Sequence, residues 1–114
     1  MTAKDHFTEI LEILINHDQD VIAGAIVSIK GFPIVSMLPD DVDEFIISAI
    51  TSAINNLTEC FINDLKIGEC KEIHIFSNKG NIIISHARSD AVIVLLKRGE
   101  KLSTIKKEEI CLNL

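Results

Sequence analysis

The side chains best suited to chemistry near neutral pH gather in the second half of the chain: His74 and His86, with Cys60, Cys70 and Cys111 around them. A pair drawn from Cys60 or Cys70 with His74 or His86 would be a thiolate nucleophile beside its base. Cys70-x-x-x-His74 with Cys60 would offer thiolate and imidazole ligands to zinc. Neither spacing matches a strong template. Both histidines stand in apolar, strand-like runs, where a solvent-facing imidazole is the ordinary outcome. An odd number of irregularly spaced cysteines reads as idle or buried reduced thiols of a cytosol. The acidic group Asp40, Asp41, Asp43 and Glu44 has the charge to hold a cation, but it sits where a helix begins, and carboxylates there cap free N–H groups. The glycines are scattered and build no phosphate-cradling loop. No catalytic residue, cofactor or metal is therefore expected, and the chain reads as an interaction module.

Length and composition agree. A chain of 114 residues supports one domain, here residues 1–114, and 47% hydrophobic residues suffice for a core. The net charge of −6 repels phosphate backbones, and the absence of Tyr and Trp removes the usual base-stacking platforms, so nucleic acid is not expected as a partner. The start, MTAKDHF, has no apolar segment of a secretory signal. The longest apolar runs look strand-sized, so no transmembrane segment is expected. The expected location is cytoplasmic.

What must position these residues is an ordered set of elements. The spacing of Phe7, Ile10, Leu11 and Leu14 predicts an amphipathic helix over residues 2–17, with Thr2-x-x-Asp5 as a capping box. Val21 to Ile29 and Phe32 to Met37 predict two strands joined by a tight turn at Lys30-Gly31. Gly24, inside the first strand, predicts close approach of the long helix. That helix follows Asp41 and runs to Leu65. Residues 72–77, 82–86 and 91–97 predict three strands, with turns at Asn78-Lys79-Gly80-Asn81 and Arg88-Ser89-Asp90. Ser103 or Thr104 can cap a short last helix within Leu102 to Leu114. The order α-ββ-α-βββ-(α) implies one antiparallel sheet with helices laid against it.

On a helical wheel the long helix carries an apolar arc of roughly 200°, twice what one buried face needs. Glu44, Ser48, Thr51, Ser52, Asn55 and Glu59 read as its solvated band. The surplus predicts that one flank packs on the sheet and another on a second chain.

The segments VIAGAIVSIKGFPIVSMLPDD and IHIFSNKGNIIISHARSDAVIVLL together resemble the roadblock family of dynein light chains and of bacterial and archaeal gliding-motility and GTPase-associated proteins. The resemblance is carried by Ala23-Gly24-Ala25, by Gly31 followed by Phe32-Pro33-Ile34, and by the strand pair around Gly80, and it covers residues 5–100. Isoleucine-rich, acidic chains of this length resemble the archaeal members. The chain departs from the family at Gly99 and the residues after it, where the register of the last helix is lost.

The resemblance implies an α/β (α+β) profilin-like sandwich, a five-stranded antiparallel sheet with helices on both faces. It implies a non-enzymatic scaffold or regulator that binds small Ras-like GTPases, as a homodimer or as a heterodimer with another roadblock protein. An arginine finger in trans would fall to Arg88 or Arg98, although repositioning of switch loops suits a module without chemistry better. The implied sheet order leaves Lys71 to Ser77 at an edge. The expected dimer contact is Glu72, Ile73, His74, Ile75 and Phe76 with Ile47, Ile50, Ile54 and Phe61 of the helix above; Phe45, Ala49 and Ala53 form the alternative flank. A competing reading is a small-molecule-sensing domain of profilin or PAS type, which needs a cavity with convergent polar groups.

Overall fold

The structure is a computed structural model that describes residues 3–99. The elements are α1 (Ala3–His17), β1 (Val21–Ser28), β2 (Pro33–Met37), α2 (Glu44–Leu65), β3 (Glu72–Phe76), β4 (Gly80–Arg88) and β5 (Ala91–Arg98). Each expected element from the first helix to the last strand is present. Thr2 of the expected capping box, Cys111 and the expected helix within 102–114 lie outside the described residues.

The strands form one five-stranded sheet in the order β2-β1-β5-β4-β3, antiparallel throughout. Alternation along the strands divides the core between the two faces. Ile26, Ala91 and Ile93 join Phe7 and Leu11 of α1 on one face. Ala25, Val27, Ile84, Val92 and Val94 lie on the other, under Ile47 and Ile54 of α2. The helices thus sit on opposite faces.

Two glycines set how closely the helices approach. Gly24 belongs under α1, not under the long helix as its sequence suggests: a Cβ there would meet Leu11 Cδ1 at 3.1 Å, Leu95 Cδ2 at 2.8 Å and the Val94 carbonyl at 3.1 Å. Alternation explains this, because Gly24 shares the face of Ile26. Gly31 is the glycine under α2, with φ of +96° in the β1–β2 turn and Ala49 Cα 3.6 Å from where its Cβ would be.

Asp43 caps α2 as the local acidity implies, its Oδ1 accepting from the N–H groups of Phe45 at 2.8 Å and Ile46 at 3.4 Å. At the other end Lys66 turns left-handed and its N–H reaches back to the Asn63 carbonyl at 3.1 Å.

Candidate partner-binding surface

The long helix lies the other way round from its sequence expectation. Ser48, Thr51, Ser52 and Asn55 are buried against the sheet, Ser48 at 1% and Asn55 at 2% exposure, so they are not a solvated band. The physical reason is hydrogen bonding at close range. The Ser52 hydroxyl and the Asn56 amide both donate to the Ile29 carbonyl at the β1–β2 turn, Ser48 Oγ donates to the Glu44 carbonyl at 2.7 Å, and Ser36 Oγ donates to Glu44 Oε2. Small polar side chains satisfied in this way let the helix settle onto the turn at Gly31. Glu59 remains exposed, with its Oε1 2.9 Å from His86 Nε2 on β4.

The consequence is an outward-facing apolar stripe. Ile46, Ile50, Leu57 and Phe61 are exposed, Leu57 at 71% and Phe61 at 66%, and Ala49 and Ala53 lie open between them. The spacing of these residues follows one side of the helix. Of the positions expected from sequence, Ile50 and Phe61 fall on this stripe, whereas Ile47 and Ile54 are half-buried against the second core cluster. Ala49 and Ala53 of the alternative flank are exposed, as is Phe45 at the helix start. Ile46 and Leu57 were not expected there.

By length and composition α2 is the one described helix able to cross a bilayer, so not every apolar run is strand-sized. Its buried polar side and its hydrogen bonds to Ile29 instead tie it along the sheet.

The sheet also ends in an open strand edge. β3 is the last strand of the sheet, with Glu72, His74, Ile75 and Phe76 exposed and Ile73 half-buried against the core cluster on the face that α2 shares. The opposite edge, β2, begins with Pro33, whose missing N–H blunts pairing. No proline interrupts β3.

The remaining sequence candidates are dispersed. Cys60 and Cys70 are free thiols, Cys60 exposed. His74 points to solvent, with its Nε2 3.6 Å from Glu72 Oε1. Among the described residues no group of three or more His, Cys, Asp and Glu side chains in one chain is placed to hold a metal. Arg88 is held at the β4–β5 turn by Asp90, Nε to Oδ1 2.8 Å, and its guanidinium lies 4.9 Å from the centre of the Phe7 ring. That hydrogen bond raises the Arg88 pKa and lowers that of Asp90. Asp18 is also lowered, first by the Asp20 N–H it accepts and then by Lys97. An open cleft of about 660 Å³ separates the end of α2 from the loop before β3, lined among others by Asn56, Glu59, Asn63, Glu69 and His86.

The Roadblock/LC7 domain matches residues 9–97. The gliding protein MglB of Thermus thermophilus superposes with a TM-score of 0.74 at 14% identity, over 86% of this chain and 76% of that one. A Roadblock/LC7 domain from Streptomyces avermitilis gives 0.73 at 14% identity, over 81% and 78%. MglB of Myxococcus xanthus gives 0.73 at 15%, over 86% and 76%. No curated protein sequence matches the chain. At these identities the solved structures speak for the fold, while the matched residues take in nearly every described element, from α1 to β5. The chain belongs to the Roadblock/LC7 domain family.

Proposed function

We propose that this protein is a non-enzymatic, cytoplasmic scaffold that pairs with a second copy of itself, or with another roadblock protein, and in that form binds a small Ras-like GTPase. The observation that carries the pairing is the inverted burial of α2. A helix that hides Ser48, Ser52 and Asn55 and exposes Ile46, Ile50, Leu57 and Phe61 presents an apolar stripe of the kind partners cover. The unblunted β3 edge supplies backbone groups to a second strand, and pairing removes an aggregation hazard. Two copies related by a two-fold axis satisfy both needs at once. A solved MglB with a tetrameric arrangement is consistent with association in such folds.

The GTPase in this proposal comes from family membership. Titration calorimetry of the purified chain against the Ras-like GTPases of its source organism, in the GDP state and with a non-hydrolysable GTP analogue, is the test. A complex favoured by one nucleotide state is expected; no binding in either state across the set contradicts it. The chain alone is expected to bind no GTP.

The cleft beside His86 favours a second reading, small-molecule sensing, because polar groups from α2, the following loop and β4 converge there. Thermal melts with a metabolite panel separate the two: a stabilising ligand supports sensing, and uniform melts with GTPase binding support the scaffold.

A further inference from the structure

The sheet face opposite α2 is covered by α1 on one side only. That helix sets Phe7 and Leu11 over Ile26, Ala91 and Ile93, with Leu95 at the margin of the cluster. Leu95 pairs with Ile83 of β4, and Ile83 pairs with His74 of β3, so the three side chains share this face. Two residues further along, Lys97, Asn81 and Phe76 do the same. Ile83 and Phe76 belong to neither core cluster, and the contacts of α1 lie chiefly on β1 and β2.

This half of the face lacks two things. Phe76 is 55% exposed, so it lacks an apolar cover. Asn81 is only 6% exposed, yet its Oδ1 has no hydrogen-bond partner. A buried carbonyl oxygen without a donor has lost its hydration for nothing in return, so the site calls for an N–H or O–H group as well.

The end of the described chain lies at the rim of this patch. Arg98 pairs with Gly80, the residue before Asn81. Gly99 follows against the β3–β4 turn, where a Cβ would stand 3.1 Å from Gly80 N and 3.2 Å from the Lys79 carbonyl carbon. Residues 100–114 start from there and carry Leu102, Ile105, Ile110, Leu112 and Leu114, with the hydroxyls of Ser103 and Thr104 among them. As a helix they would measure about 22 Å, against about 17 Å for the five residues of β3. Leu102 and Ile105, three apart, would share one side of it. A segment tethered at the rim also meets the patch without the loss of translational freedom that a free partner incurs.

We propose that residues 100–114 fold back over β4 and β3 on the face opposite α2, setting Leu102 and Ile105 on Ile83 and Phe76 and a hydrogen-bond donor on Asn81 Oδ1. This inference stands apart from the dimer and GTPase reading. Its consequence for that reading is that partners are left the α2 stripe and the β3 edge.

The test is NMR of the full-length protein with labelled Ile, Leu and Phe side chains, in a sample mixed from differently labelled chains so that contacts within and between chains are told apart. The expected result is a set of nuclear Overhauser effects within one chain, from the methyl groups of Leu102 and Ile105 to those of Ile83 and to the Phe76 ring. Effects running instead to Ile50 or Leu57 of α2, effects found only between chains, or none to residues 3–99 overturn the inference. Ile105→Asp should also shift the side-chain amide signals of Asn81 and leave those of Ile50 and Leu57 in place. Asn81 signals that do not move overturn it equally.

Discussion

The Ser52 hydroxyl donates a hydrogen bond to the backbone carbonyl of Ile29, joining the middle of α2 to the turn between β1 and β2. This contact sets which side of the helix meets the sheet, and so which side is left for a partner. Replacing Ser52 by Val removes the donor at a buried position with only a small increase in volume. Asn56 still reaches the same carbonyl at 3.3 Å, so the expected loss is about 1 kcal/mol, read as a lower urea midpoint with unchanged slope.

Gly24→Ala is expected to destabilise by roughly 1–3 kcal/mol, the usual cost of overpacking. Leu11 and Leu95 can shift their methyl groups, but the Val94 carbonyl 3.1 Å from the new Cβ is part of the β1–β5 ladder and cannot. A thermal melt beside wild type checks this.

Acid sensitivity follows from Asp18 and Asp90, whose pKa values are lowered by the Asp20 N–H and by Arg88 respectively. A carboxyl with a folded value below its unfolded one adds stability above the unfolded pKa, and that stability is lost as pH falls through the folded value. Melting temperature should therefore fall below about pH 4, and the Asp18→Asn, Asp90→Asn double variant should show a shallower fall. Both groups are exposed, so the slope rather than a large shift is the readout.

Much of the fold is legible in the residues. The Lys30-Gly31 turn, the Asp43 cap and the glycine-bounded strands each carry a local signal that tertiary context reinforces. The orientation of α2 is not, because assigning apolar residues to the inside assumes that the only inside is the chain's own core. The missed signal was the spacing of Ser48, Thr51, Ser52 and Asn55, which is itself a helical stripe. The face of Gly24 was open to the same kind of reasoning, through its alternation with Ile26.

Ile50 and Ile54 separate the two roles of α2. Ile54 packs on the core under the helix, so Ile54→Asp is expected to cost several kcal/mol of monomer stability and to disturb circular dichroism. Ile50 is half exposed on the stripe, so Ile50→Asp should leave the fold intact and act only on association.

The most direct measurement is light scattering of the wild type and Ile50→Asp across a concentration series, with circular dichroism on the same samples. The expected result is a dimeric wild type and a monomeric, folded variant, since a charge at a desolvated contact costs several kcal/mol of association. A wild type that stays monomeric at high concentration, or an Ile50→Asp variant as dimeric as the wild type, contradicts pairing through this face.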